Sequence, residues 1–200
     1  MTSTPQRPGG RSARVRKAVL AATAAELSER GFAAMTIEDI AARSGVHKTT
    51  IYRRWSTLSQ LVADAAVEIS ATTVPIPDTG SIESDLREMA RSIVALVTSE
   101  SGGALVAALF SDAVRTPEVA RLKREFYSAR YELADIVVRR AVERGEISEK
   151  VSAADLLAAV AAPIYYRLLV ADLPVDRSVA DRAAAGALAA AHAGALDQTE

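Results

Sequence analysis

The sequence predicts an all-α protein: a three-helix head, a long connecting helix and a helical bundle, about nine helices in all. Three observations carry this expectation. Apolar residues recur three and four positions apart along most of the chain, no stretch alternates apolar and polar residues as a half-buried strand does, and capping or breaking residues fall between the periodic runs. At 200 residues, half of them hydrophobic, the chain can bury a sizeable core.

Taken in order, residues 1–11 are rich in Pro, Gly, Ser and Arg, bury too little apolar surface to order themselves, and read as a disordered basic arm. From Ser12 the pattern turns helical, with Leu20, Ala24 and Leu27 on one face and Gly31 as the left-handed stop. Thr36 caps a short second helix, with Asp39 three residues on and Met35 and Ile40 as its hydrophobic staple; it ends near Arg43. Gly45 permits a sharp turn into a third helix, whose Ile51 and Trp55 face inward toward Ile40 and Val46. Thr57 and Gln60 open a longer fourth helix to about Thr72, which "VPIPDTG" breaks. Five further helices read near 82–99, 102–114, 117–144, 153–171 and 178–195. Thr116 and Pro117 open the longest, along which Val119, Leu122, Phe126, Leu133 and Val137 keep one inward stripe. Pro163 should kink the eighth beside Tyr165, Tyr166 and Arg167.

Composition narrows the function. There is no cysteine, and only His47 and His192 offer imidazole, neither in a motif with a nucleophile or a metal-ligand partner. No Gly-rich phosphate loop follows a strand. No cofactor, metal site or enzymatic activity is therefore expected. The N-terminus lacks a signal-peptide core and no strongly apolar run reads as long enough to span a bilayer, so a soluble, cytoplasmic protein with no membrane partner is expected. Net charge is −1, but it is segregated: residues 1–60 carry ten Lys/Arg against four Asp/Glu, and residues 61–200 fourteen against twenty-one. A basic head joined to an acidic body suits a polyanion at one end.

The stretch "IEDIAARSGVHKTTIYRRW" gives that end a geometry. Ile40, Val46 and Ile51 are spaced to meet inside a two-helix corner, with Ala41 small at the crossing and Gly45 at the turn, which is the helix-turn-helix pattern. On a 3.6-residue wheel Ile51 and Trp55 point inward, leaving Thr49 and Arg53 outermost with Thr50 and Tyr52 beside them. Hydroxyls, a cation and a phenol on one exposed face suit the major groove of double-stranded DNA.

These residues, from about Val15 to Leu61, resemble the DNA-binding domain of the TetR family of transcriptional regulators, whose signature ends in a Tyr-Arg-x-aromatic motif like Tyr52, Arg53, Arg54 and Trp55. "ALFSDAVRTPEVARL" and "PIYYRLLV" resemble the C-terminal domain of one TetR subgroup. The resemblance implies a head over 12–56 that binds DNA and a body over 57–200 that dimerises and binds an effector. It places Thr36, His47, Lys48, Thr49, Thr50, Tyr52 and Arg54 at DNA beside the outward Arg53. It also implies a homodimer on a palindromic operator, most simply a repressor released by a small molecule. Effector-independent or partner-controlled regulation is the alternative. Phe110, Tyr127, Tyr131 and Tyr166 are the aromatic candidates for an effector pocket. Two positions depart from the family pattern. His47 stands where a capping Ser is usual, so either the cap is weaker or His47 itself meets DNA. Leu58 stands where a phosphate-gripping lysine is common. In the arm, Arg7 and Arg11 either follow a minor groove or belong to a free tail.

Overall fold

A computed structural model describes residues 10–110 and 116–198. Among them lie nine α-helices: α1 Gly10–Arg30, α2 Ile37–Ser44, α3 Lys48–Tyr52, α4 Leu58–Thr73, α5 Ile82–Thr98, α6 Glu100–Phe110, α7 Pro117–Glu143, α8 Ala153–Tyr165 and α9 Arg177–His192. A single turn of π-helix, Tyr166–Val170, extends α8. The only strand-like feature among the described residues is an isolated antiparallel bridge between Val151 and Asp197.

Starts and stops follow local chemistry. Thr36, Thr57, Ser81, Thr116, Ser152 and Asp176 each accept a hydrogen bond from the backbone N–H three residues on, satisfying one of the orphan donors of a helix start. Gln60 reaches back to the N–H of Ser56 rather than Thr57, at 3.0 Å. Gly45 ends α2 at φ 66°, a left-handed conformation that a side chain disfavours. The α5–α6 corner is closed by close approach: a Cβ on Gly102 would overlap the Leu96 carbonyl oxygen, and one on Gly103 would lie 2.8 Å from that of Val97.

Several boundaries differ from the sequence expectation. The first helix begins at Gly10, so the tail of the expected arm is helical, while residues 1–9, with Arg7, lie outside the described residues. The sixth helix spans Glu100–Phe110, and 111–115 also lie outside. On α7, Leu133 is 39 % exposed and leaves the inward stripe, whereas Arg130 is buried. The Leu122 side chain lies outside the described set. Helix α8 runs through Pro163 to Tyr165, and the π-helical turn that follows it was not expected from the sequence. The expectation of no bilayer-length apolar run is corrected as well: Ala153–Val170 has a mean hydropathy of 1.5 over 18 residues. That segment packs on α5, α7 and α9, and its last turn carries Arg167.

Two large hydrophobic cores result, with a small cluster of Ala63 and Val119 apart from them. One joins Val19 and Leu27 of α1, Ile37 and Ile40 of α2, Ile51 and Trp55, and Leu61 and Val62 of α4. The other runs through α5, α7, α8 and α9, around Leu86, Met89, Val137, Val160, Ile164 and Ala180. Helix α6 belongs to both, since Leu105 lies in the first core and its neighbour Val106 in the second. The head is thus clamped to the body through α6 as well as through the α4 that leads out of it.

Candidate nucleic-acid interface and the cavity beside it

Helices α2 and α3 meet at a corner whose floor is apolar. Ile40 and Ile51 are fully buried and Trp55 is 3 % exposed. Burying each contributes about 1.5–3 kcal/mol, which fixes the rotation of α3 and decides which of its residues face outward. Trp55 Nε1–H donates to Asp64 Oδ2 at 2.9 Å, and Asp64 Oδ1 accepts from Arg16 at 2.7 Å. A second network ties α2 to α1: Arg43 pairs with the buried Glu26 at 2.6 Å and with Glu29, and Arg30 bonds Asp39 at 3.1 Å. Arg16, Arg30 and Arg43 therefore spend their charge inside the head, and its outward positive surface is smaller than the sequence count suggests.

Over that floor His47, Lys48, Thr49, Tyr52 and Arg53 are exposed, and Thr50 is half-buried. Tyr52 is 48 % exposed, high for so large an aromatic. Lys48 lies 3.6 Å from Glu38 in an exposed pair that contributes little. His47 caps α3: its Nδ1 accepts the Thr49 N–H at 3.4 Å and lies 3.0 Å from Thr49 Oγ1. The bond is long, so the cap is weak, and the ring acts as an acceptor only while Nδ1 is unprotonated.

Thr36 and Arg54 are engaged within the chain. Thr36 and Asp39 form a reciprocal capping box, with Thr36 Oγ1 2.6 Å from Asp39 Oδ2, and hydrogen bonding by Thr36 holds the Asp39 carboxyl below its usual pKa. Arg54 donates to the carbonyl and hydroxyl oxygens of Ser12 at 3.3 and 3.1 Å and lies 5.7 Å from the Trp55 ring centre. It links α1 to the end of the recognition turn. The helical period already set Arg53 outward; that Arg54 reaches back to Ser12 of α1 was not legible from it.

Behind the head, α4, α6, α7 and α8 enclose a cavity of about 100 Å³. Ala66 and Ser70, Val106 and Phe110, Phe126 and Tyr127, and Tyr165 are among the residues around it. Of the four aromatic candidates Phe110 and Tyr127 line it. Tyr131 does not; its ring stacks 6.2 Å from that of Tyr127. Nor does Tyr166, which is 60 % exposed on the π-helical turn while its neighbour Tyr165 points in. Phe126 and Tyr165 are the aromatic wall residues that the sequence did not single out. Phe126 was legible from its place on the α7 stripe, whereas two adjacent tyrosines gave no sign of which one faces in. Burial pushes the Tyr165 and Tyr127 hydroxyls above their usual pKa.

Comparison with known proteins agrees with this geometry. Residues 19–65 match the family model "Bacterial regulatory proteins, tetR family", and residues 76–187 match "Tetracyclin repressor-like, C-terminal domain". The HTH-type transcriptional regulator AqdR of Rhodococcus erythropolis is 37 % identical over 142 residues, covering 71 % of this chain and 68 % of AqdR. The uncharacterized HTH-type regulator YdeS of Bacillus subtilis is 29 % identical over 162 residues, 81 % and 82 % of the two chains. Among solved structures, the TetR family transcription regulator SCO0332 superposes with a TM-score of 0.74 at 33 % identity, over 88 % of this chain and 97 % of that one.

Proposed function

Since this chain belongs to the TetR family of DNA-binding transcriptional regulators, we propose that it acts in the cytoplasm as a homodimeric repressor, binding a palindromic operator and leaving it when a small molecule binds the body. The observation that carries the DNA half is the exposed row Thr49, Tyr52 and Arg53 held over the buried Ile40, Ile51 and Trp55. In this reading those three, with His47, Lys48 and Thr50, meet base edges and phosphates in the major groove. Thr36 and Arg54 act mainly by positioning, the first through the α2 cap and the second through Ser12. No enzymatic role is part of the reading.

Dimerisation is supported by the outer faces of α8 and α9, where a groove lined by Ala159, Pro163, Arg182 and Gly186 leaves small side chains open for a second copy. A two-fold pair would set two α3 helices against half-sites about one helical turn apart, roughly 34–36 Å. Effector release is supported by the cavity wall on α4, the helix that leaves the head. A ligand that prefers a different α4 position changes the spacing of the two reading faces, and only such differential affinity shifts the equilibrium.

A second reading, a regulator without a small-molecule effector, is favoured by the cavity's size, about 100 Å³ against the roughly 300–1,000 Å³ usual for ligand pockets. One experiment addresses both. The purified protein is footprinted on DNA flanking its own gene, and compounds are then screened for loss of protection. A protected palindrome that a compound releases is the expected result. The absence of any protected palindrome overturns the operator claim, and protection that no compound relieves favours the second reading.

A further inference from the structure

Arg130 stands on α7 one turn beyond Phe126 and Tyr127, next to the residues that line the cavity but not itself among them. It is only 7 % exposed. Its Nη1 donates to the Val74 carbonyl oxygen at 2.8 Å, and Val74 is the residue that ends α4. A guanidinium carries five donors and a charge it does not give up. Among the described residues the neutral Val74 oxygen is its one hydrogen-bond acceptor, and no carboxylate pairs with it. A buried cation without an anion is disfavoured, and desolvation accordingly lowers the pKa of Arg130.

We infer that this cavity admits a small organic carboxylate with an apolar body, whose carboxylate pairs with Arg130 and displaces the Val74 carbonyl from the guanidinium. The inference rests on the effector reading above and gives that effector its chemical class. The apolar body is enclosed by Ala66, Val106, Phe110, Phe126 and Tyr165, and the anion supplies the charge that Arg130 lacks. Losing Arg130 unties the C-terminal end of α4, which both enlarges the cavity and frees the helix that leads to the head. A bidentate guanidinium–carboxylate pair is stronger than one bond to a neutral carbonyl, so the exchange is favourable even though it gives up an existing contact.

The test uses matched pairs of probes, 1-naphthoate with 1-naphthamide and decanoate with decanamide, titrated into the full-length protein by calorimetry. The acids are expected to bind about tenfold or more tightly than the amides, since hydrogen bonds to charged partners are the stronger ones. R130M should erase that preference and R130K should keep part of it. Hydrogen exchange should show faster amide exchange at residues 70–76 with the acid bound. Equal affinity of acid and amide in the wild-type protein, binding of neither, or an acid preference unchanged in R130M overturns the inference. The wild-type comparison alone decides if R130M does not fold. Operator release is read separately by footprinting. An acid that binds through Arg130 and loosens α4 without releasing DNA sinks the effector reading and leaves the site. A neutral compound that releases DNA while the acids show no preference does the reverse.

Discussion

Trp55 on the recognition turn donates its indole N–H to Asp64 on α4 at 2.9 Å, and the same carboxylate accepts from Arg16 on α1. Three elements of the head are therefore tied by one half-buried side chain. D64N is expected to destabilise the protein by about 1–2 kcal/mol, because its amide turns a donor toward either Arg16 or the indole. Trp55 is the chain's only tryptophan, so urea unfolding followed by its fluorescence checks this directly. An unchanged midpoint would show that the network is not coupled to stability.

Gly102 and Gly186 should respond in opposite directions to alanine. G102A forces a methyl group into the Leu96 carbonyl at the α5–α6 corner and is expected to cost about 1–3 kcal/mol. Gly186 has open space where its Cβ would go, and G186A should strengthen α9 by about 0.5–1 kcal/mol within one chain. If α8 and α9 pack closely against a second copy, the same methyl weakens the dimer. Sedimentation at several concentrations, beside thermal unfolding, separates the two effects.

His47 is a weak cap, so replacing it tests whether it serves α3 or DNA. H47S should raise the thermal midpoint slightly, through a better side-chain acceptor, whereas H47A should lose up to about 1 kcal/mol. A fall in operator affinity for H47S despite greater stability would assign the ring a DNA contact. Equal affinity would assign it the cap alone.

Arg53 and Arg54 are adjacent but should give different signatures. R53A is expected to weaken operator binding with little change in stability, and to reduce the salt slope by about 1 if the guanidinium meets a phosphate. R54A should lower stability together with affinity, because it breaks the ties to Ser12. Binding isotherms at several salt concentrations, with thermal melts, distinguish them.

Glu146 holds the start of α5 to the end of α7, accepting from the Ile82 N–H at 2.7 Å and from Arg144 at 2.9 and 3.0 Å. Those bonds, Arg144 first, keep its carboxyl below the usual pKa. The unfolded state therefore takes up the proton first as pH falls. The stabilisation is complete above the unfolded value of about 4.3 and drains away as pH drops through the lower folded one. Thermal midpoints from pH 6 to about pH 3 should fall more steeply in the wild-type protein than in E146Q. Parallel curves would remove Glu146 from the acid response.

Sequence alone determined which helices form and which face of α3 lies outward. Thr36, Thr57, Thr116 and Gly45 act within three or four residues of themselves, so helix starts and the sharp turn were legible without tertiary information. The inward pair Ile51 and Trp55 likewise fixed the rotation of α3 by period alone. What only the tertiary structure decided were relationships between distant residues. Carboxylates within the fold take up Arg16 and Arg43, from partners 48 and 17 residues away. At the junction of α8 with the π-turn Tyr165 turned inward and Tyr166 outward. Arg130 met Val74 across 56 residues, a contact that no local pattern in the sequence shows. Local hydrogen bonding and period can be read along the chain; burial and ion pairing depend on what the fold brings alongside.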